Sequence, residues 1–455
     1  MEARQKKLLE GPIVRSILSI AIPVILVNTI QTVYQLIDTF WVGRIGTDAV
    51  AAVSLSMPII FFLQSLAMGL TLAGSILVAQ FNGRGEKQQV ARATGQTISF
   101  VVLVSILIGA LGYLLAHWSL GFLTDDPNVL PWATDYLQIS FLTMPAMFIF
   151  MIFQSSLRGI GEVRLPFYIV TGTVILNFFL DPLFLFGWKF IPPLGVAGVA
   201  WATFITEMLS AVIGLALLFT RKFNYGLSLR DFILQKSWVK KIFRLGVPSS
   251  LEMSSRSIGM VLMTLVVATF GTLAVAAFGI GTRILMFVII PALGFAMASN
   301  TLVGNNLGAR QHDRTLKIVK AGMKIAFGSL TVLGVLVFIF APQIANFLVP
   351  GETELVATSA LFIRLIAPTF GFIGIQMVIL GTLKAAGQTT TSMFLAMTQV
   401  LATFVFAYFL STNCHLGELG IWVSYPIGNT VALVFAFIFY FQKKWLRHSF
   451  LEEGA

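Results

Sequence analysis

Acidic side chains stand inside two of the long apolar segments of the sequence. Asp38 lies in a hydrophobic stretch that begins before Pro23, and Asp181 lies four residues after Asn177 in another. A charged side chain costs about 2.5 to 3.5 kcal/mol at the centre of a membrane helix, so intramembrane acids usually face a partner, water or an ion. Two carboxyl groups held close together cannot easily both stay charged, so such a pair binds a proton or a cation. We therefore expect Asp38 and Asp181 to form a site for H⁺ or Na⁺.

Helical depth places three further polar side chains beside these acids. With a rise of about 1.5 Å per residue, Asp38 lies roughly 22 Å beyond Pro23 and Asp181 roughly 22 Å beyond Pro166, so both lie in the outer half of their segments. Tyr136 and Thr203 lie about 10 and 14 Å into segments that enter from outside, and Asn177 shares a helix face with Asp181. We predict a cation site formed by all five residues. For Na⁺, the ligands would be Asp38, Asn177, Asp181 and Thr203.

The neutral residues of this group also admit structural roles. Asn177 or Thr203 alone would suit a hydrogen bond between two membrane helices. Tyr136 would suit the belt of aromatic residues at the membrane surface. The cation site therefore depends chiefly on the two acids.

The segments that carry these residues are long and apolar enough to cross a membrane. Of the 455 residues, 57% are hydrophobic and only 11% are charged, whereas soluble domains have about 25% charged residues. A spanning helix needs about 20 predominantly apolar residues. The sequence thus predicts an all-α membrane protein. About twelve transmembrane helices are expected, near 14–42, 49–81, 92–120, 129–157, 165–188, 194–219, 241–270, 276–306, 318–345, 353–383, 390–411 and 416–441.

The distribution of basic residues predicts the orientation. Most of the 30 Lys and Arg residues fall in every second connection and in the two termini, which the positive-inside rule places in the cytoplasm. The formal net charge of +11 then reflects topology and contact with anionic lipid, and we expect no nucleic-acid partner. We expect a multi-pass protein of the bacterial inner (plasma) membrane that acts as a monomer.

The two halves of the sequence are related by an internal repeat. Gly46–Val53, read as GTDAVAAV, matches Gly271–Phe278, read as GTLAVAAF, and Pro23 matches Pro248 at the same offset. Six spans per half relate the halves by an axis along the membrane normal, with the substrate route expected between them. The predicted domains are an N-terminal six-helix lobe over 1–220, a cytoplasmic linker over 221–244 and a C-terminal six-helix lobe over 245–455.

Methionine and aromatic residues suggest a cleft that accepts amphiphilic cations. Methionine repacks easily around varied ligands, and aromatic ring faces attract cations. Residues of this kind also occur at lipid-facing and core positions. The candidates for lining the cleft are Gln31, Tyr34, Met57, Phe61, Met68, Met260, Arg283, Met286 and Phe287.

The acids of the N-terminal half have no counterparts in the C-terminal half. Met263 stands at the position that answers Asp38, and residues 403–407 cover the position that answers Asp181. The spacing of one helical turn between Glu252 and Arg256 predicts an ion pair in which the two charges neutralise each other. Arg283 is an alternative partner of Glu252. Glu207 and Arg364 are further buried-charge candidates.

Several motifs together resemble one transporter family, multidrug and toxic compound extrusion (MATE) transporters, and within it the DinF branch. The resemblance covers essentially the whole chain. It is carried by Gln31-Thr-x-Tyr34-x-x-x-Asp38, Trp41-Val-Gly43, Leu157-Arg-Gly-x-Gly161, Asn177-x-x-x-Asp181-Pro182 and Gly195-x-x-Gly198-x-Ala200-x-Ala202-Thr203.

This resemblance implies two lobes around a V-shaped cleft and export of organic cations or amphiphilic drugs in exchange for H⁺ or Na⁺. It also implies an ion site in the N-terminal lobe, carried over onto Asp38, Tyr136, Asn177, Asp181 and Thr203. Glu207 departs from the family pattern, which has an apolar residue there.

The sequence therefore predicts a secondary active antiporter and not an enzyme. We expect alternating access, no cofactor beyond the coupling ion, and small organic cations or drugs and the lipid bilayer as partners. One alternative is a lipid-linked oligosaccharide flippase, which would need a cationic cleft for a pyrophosphate, with Arg283 as its clear candidate. A second is an intramembrane enzyme, for which the sequence offers no catalytic motif.

Overall fold

A computed structural model of the chain describes residues 2–189, 192–220 and 226–447. Within this part of the chain the regular structure is helical throughout, which confirms the predicted all-α class. The helices of the N-terminal half are α1 (Glu2–Glu10), α2 (Ile13–Val42), α3 (Thr47–Arg84), α4 (Lys87–Gly121), α5 (Val129–Gly159), α6 (Arg164–Phe186) and α7 (Val196–Phe219). Those of the C-terminal half are α8 (Lys236–Ala268), α9 (Thr272–Gly308), α10 (His312–Ile339), α11 (Ala341–Leu348), α12 (Thr353–Ile366), α13 (Phe370–Ala385), α14 (Thr389–Tyr408), α15 (Glu418–Phe441) and α16 (Lys444–Arg447).

Twelve helices of the described residues are long and apolar enough to cross a membrane, as predicted. One of them, Thr353–Ala385, combines α12, a 3₁₀ turn and α13, and another, Thr389–Asn413, adds a π-helical turn to α14. The predicted span near 318–345 was wrong at its end. The helix stops at Ile339 and α11 follows, with Pro342 in its first turn, where the missing N–H of proline is tolerated.

Backbone contacts divide the chain into two compact units. The first unit comprises Met1–Arg4 and Leu26–Ser250, and the second comprises Gln5–Ile25 and Leu251–Ala455. Residues 5–25, placed in the N-terminal lobe by the sequence-based division, thus group with the second unit. Hydrogen bonds account for this grouping, because Asn306 donates to the Leu8 carbonyl and Arg314 donates to the Gly11 carbonyl.

The segment before α8 packs on the first unit. Gln96 of α4 donates to the carbonyls of Asp231 and Ile233 at 2.8 and 2.6 Å, and its own carbonyl accepts the N–H of Gln235. Helix α8 then begins at Lys236. The predicted linker of 221–244 therefore contains a docked turn and the start of a helix, while 221–225 lie outside the described residues.

Each unit is built around one strongly buried span. In the first unit this is α5, which packs against α3, α4 and α7, and in the second it is the span of α12 and α13, which contacts α9, α10 and α15. These two spans occupy equivalent places in the repeat. The central helix of each unit thereby gives its neighbours a common packing surface.

The repeat extends to the backbone of two connecting turns. Gly195 has φ 58° and ψ −139°, and Gly417 has φ 59° and ψ −138°. Such positive φ values favour glycine, since other residues meet a steric penalty there. Three residues later, a Cβ on Gly198 would lie 2.5 Å from the Phe184 carbonyl oxygen, so only glycine lets α7 approach the end of α6 this closely. This approach brings the polar residues of α6 and α7 into one region.

Candidate functional site

Asp38 and Asp181 meet inside the first unit. Asp38 stands one turn before the end of α2 and is 5% exposed, and Asp181 stands near the end of α6 with no exposed surface. Their carboxyl groups lie close enough to interact electrostatically. The structure thus brings together the two acids that the sequence singles out.

Asn177 and Pro182 shape the α6 side of this pair. Asn177 is fully buried, one turn before Asp181, and its amide lies beside the Asp181 carboxyl group. Pro182 lies inside α6 and has no N–H, so the Phe178 carbonyl loses its usual helical donor. The end of α6 therefore presents carboxyl and amide oxygens and a carbonyl without a helical donor in one short stretch.

Several of these polar atoms have no hydrogen-bond partner of ordinary geometry among the described residues. They are Oδ1 of Asp38, both carboxyl oxygens of Asp181 and both amide atoms of Asn177. A buried polar group without a partner costs free energy, and inside a membrane water does not readily replace the missing bond. A bound proton or a small hard cation would satisfy the oxygen atoms of this group. The donor set therefore fits either H⁺ or Na⁺.

Tyr136 and Thr203 adjoin the acids in different ways. Tyr136 is buried in α5 and lies within electrostatic reach of both carboxyl groups. The Thr203 hydroxyl accepts a hydrogen bond of 2.8 Å from the Tyr34 hydroxyl. Tyr34 also interacts electrostatically with Asp38 and Asp181. A residue predicted for the substrate cleft thus connects Thr203 to the acid pair.

Apolar residues form a shell near the ends of the helices that carry the acid pair. A buried cluster that includes Val53, Tyr136 and Leu185 lies at the ends of these helices, and Trp41 and Met57 pack against it. The Trp41 ring also contacts the rings of Phe178 and Phe186, with centroids 5.9 and 6.3 Å away. Such a shell limits the access of water, which raises the cost of leaving a carboxylate charged and unpaired.

Comparison with known proteins identifies the family of the chain. The MatE family model matches residues 23–183 and again residues 248–409. The chain belongs to the MatE family. The double match agrees with the internal repeat, and with the twelve spans it establishes a multi-pass membrane transporter of the multidrug efflux family rather than an enzyme.

Similar proteins and structures cover nearly the whole MatE chain. A "Probable multidrug resistance protein YoeA" of Bacillus subtilis is 29% identical over 94% of this chain and 93% of its own length. A solved "Outward-facing conformation of a multidrug resistance MATE family transporter of the MOP superfamily" has a TM-score of 0.86 at 26% identity, covering 97% and 98% of the two chains. A solved structure described as "Reverse polarity of binding pocket suggests different function of a MOP superfamily transporter from Pyrococcus furiosus Vc1 (DSM3638)" has a TM-score of 0.87 at 26% identity over the same shares.

The predicted cleft residues of this MatE protein belong to both units. In the first unit Gln31 and Phe61 are exposed, while Tyr34, Met57 and Met68 are half-buried. In the second unit the exposed members are Met260, Arg283, Met286 and Phe287. Their assignment to a substrate cleft stays a prediction.

The main partner of Glu252 in the second unit is a residue that sequence reasoning missed. Glu252 is 1% exposed, its Oε1 accepts a hydrogen bond of 2.7 Å from Lys384, and its Oε2 accepts one of 2.8 Å from Ser392. Arg256, the expected partner, is 3.9 Å away and also contacts the Met377 sulfur. The predicted Glu252–Arg256 ion pair is confirmed, and Lys384 and Ser392 extend it to a cluster centred on Glu252.

Two other charged candidates have peripheral positions. Arg283 is exposed and is not among the partners of Glu252. Arg364 is exposed and donates to the Phe338 carbonyl at 3.4 Å, with its guanidinium 5.8 Å from the Phe338 ring centre. Neither residue adds a buried charge to the second unit.

A chain of amide and hydroxyl groups extends through the second unit. Gln376 donates to Gln399 at 3.0 Å, Gln399 donates to Asn429 at 2.8 Å, and Asn429 donates to the Thr369 hydroxyl at 2.9 Å. These residues come from α13, α14, α15 and the turn before α13. Sequence spacing gave no indication of these hydrogen bonds, because each of them joins residues on two different spans.

Proposed function

We propose that this MatE protein is a secondary antiporter that exports organic cations or amphiphilic drugs in exchange for H⁺ or Na⁺ by alternating access. The observation that carries the proposal is the pair of buried carboxyl groups, Asp38 and Asp181, in which Oδ1 of Asp38 and both oxygens of Asp181 lack described donors. A site of this kind has two states, charged without an ion and neutralised with one. An ion gradient can therefore drive the protein between them.

The response to the ion would begin in α2 and α6. Neutralising the pair removes the repulsion between Asp38 and Asp181, so the ends of the two helices can approach each other. Pro23 lies inside α2, roughly 22 Å from Asp38, and removes one backbone hydrogen bond there. Helix α2 can therefore bend at Pro23 when the force on its far end changes.

The supporting comparisons concern family members rather than this chain. Relatives such as YoeA of Bacillus subtilis carry the words multidrug resistance in their names, and the motifs Gln31 to Asp38 and Asn177 to Asp181 resemble the DinF branch. The proposed orientation has both termini in the cytoplasm of a bacterial inner membrane, in line with the distribution of Lys and Arg.

The proposal is tested by ethidium efflux from proteoliposomes under imposed pH and Na⁺ gradients, applied separately. We expect the wild type to export the dye under at least one of the gradients, and Asp38→Asn to lose this export. Asp135→Asn is the matched control, because Asp135 is exposed on α5 beside Tyr136. Full export by Asp38→Asn, or wild-type export that needs no gradient, would overturn the proposal.

A further inference from the structure

Glu207 is a carboxylate in α7 that the proposed coupling pair does not include. It follows Thr203 by one helical turn, so the two side chains share a helix face. The next residues along that face, Ala200, Ala211 and Gly214, are buried and small. The opposite face is exposed and apolar, with Ile205, Leu209 and Val212. Glu207 therefore belongs to the inward face of α7.

Glu207 has no charge partner in the described chain. Its Oε2 atom is fully buried without a hydrogen-bond partner, and no described residue forms an ion pair with it. Glu252 in the second unit shows the contrasting case, since a buried carboxylate there has Lys384 and Ser392 on its two oxygens. An acid kept inside a membrane span without such partners marks a functional site by default.

Tyr34 interacts with both the coupling pair and Glu207. Its hydroxyl donates to Thr203, and the side chain interacts electrostatically with Asp38, Asp181 and also with Glu207. The hydrogen bond holds the aromatic ring in place. A fixed ring next to a carboxylate is a combination that attracts organic cations, because the ring face and the anion both interact with diffuse positive charge.

Solvent accessibility distinguishes the coupling pair from Tyr34 and Glu207. Asp38, Asn177 and Asp181 are almost fully enclosed, which suits a proton or a bare ion. Tyr34 and Glu207 are only half-buried, so a larger group can reach them. Glu207 also lies about 16 Å from the start of α7, nearer the middle of its span than the acid pair is to the middle of α2 or α6.

We propose that Glu207 and Tyr34 form the binding site for the positively charged group of a transported organic cation, with Asp38 and Asp181 left to the coupling ion. This inference rests on the proposed export of organic cations. Glu207, which departs from the family pattern, would then give the protein its preference for positively charged substrates. The coupling ion and the organic cation would thus bind to different acids of the first unit.

The test is calorimetric binding of tetraphenylphosphonium to the purified full chain in detergent. This probe has a permanent, delocalised charge and no proton to donate. We expect Glu207→Gln to weaken binding at least tenfold, and Glu207→Asp to restore most of the affinity because it keeps the charge. Asp135→Asn should bind as the wild type does. Equal binding by wild type and Glu207→Gln would overturn the inference.

A second measurement separates this inference from the proposed function. In proteoliposomes, Glu207→Gln should need more tetraphenylphosphonium for half-maximal transport, while the number of coupling ions moved per probe molecule stays at the wild-type value. A changed ion ratio would assign Glu207 to coupling and overturn its substrate role. A wild type that moves no probe under any gradient would instead refute the proposed function.

The melting temperature of Glu207→Gln should not fall, since the variant removes an unpaired buried charge.

Discussion

The acids buried within the membrane spans have different surroundings in the two units of this protein. In the first unit, Asp38 and Asp181 face each other, and Oδ1 of Asp38 and both carboxyl oxygens of Asp181 have no described hydrogen-bond donor. In the second unit, Glu252 is equally buried but receives Lys384 and Ser392 on its two oxygens. An acid with all its partners supplied by the chain stabilises a fold, whereas an acid without them is available to bind an ion.

The buried amide and hydroxyl groups also differ between the two units. In the second unit, a continuous chain of hydrogen bonds links Gln376, Gln399, Asn429 and Thr369, and among their side-chain atoms only Oε1 of Gln376 is buried without a partner. In the first unit, Asn177 is fully buried and neither amide atom is bonded. Two units built on one repeated helical frame therefore differ in chemistry, and this difference supports the proposal that the coupling ion binds to the first unit.

The largest effect is expected from Glu252→Gln, on stability. The change leaves the Lys384 ammonium without its carboxylate, and breaking a buried ion pair in this way costs about 3 to 5 kcal/mol. Thermal unfolding of the purified protein should show a marked loss, and the double variant Glu252→Gln/Lys384→Met should recover most of it. If Glu252→Gln keeps the wild-type melting temperature but loses ion coupling, then Glu252 of the second unit has a coupling role rather than a structural one.

Asp181→Asn should have its main effect on transport. Removing one acid of the pair leaves a site that no longer alternates between charged and neutral states, and we expect ethidium efflux to fall at least tenfold, equivalent to about 1.4 kcal/mol. The melting temperature should stay level or rise, because an unpaired carboxylate is removed. A loss of transport that simply follows a loss of folded protein would make Asp181 a structural residue.

A smaller loss of stability is expected from Gln399→Leu. This variant breaks both hydrogen bonds of Gln399, and interhelical hydrogen bonds in membranes contribute about 0.6 kcal/mol each on average. We expect a decrease of about 1 kcal/mol in the free energy of unfolding and a nearly normal efflux rate. Thr398→Val is a control on the same helix, because Thr398 is exposed and bonds only to its own helix. A strong transport defect at normal stability would show that this series of hydrogen bonds takes part in transport as well as in packing.

The smallest effect is expected from Tyr34→Phe. It removes the donor to Thr203 but keeps the ring, so we expect about a threefold change in transport, corresponding to about 0.6 kcal/mol. Tyr34→Leu, which removes the ring as well, should weaken tetraphenylphosphonium binding further. Equal behaviour of the two variants would show that the ring does not contact the substrate.

The sequence predicted the spans well because a membrane imposes length and composition on each helix. It found Asp38, Asn177 and Asp181 because polar residues stand out in apolar segments. It missed Lys384 as the partner of Glu252, 132 positions away, because no spacing rule connects residues on separate spans. The link from Tyr34 to Thr203 joins residues 169 positions apart and was missed for the same reason. Helix packing decides such pairs.

The most direct test is the movement of H⁺ or Na⁺ driven by an imposed ethidium gradient in proteoliposomes. We expect the wild type and Glu252→Gln/Lys384→Met to move the same number of cations per dye molecule. Asp38→Asn should move none. Cation movement that persists in Asp38→Asn and disappears in the Glu252 and Lys384 double variant would contradict the assignment of coupling to the first unit.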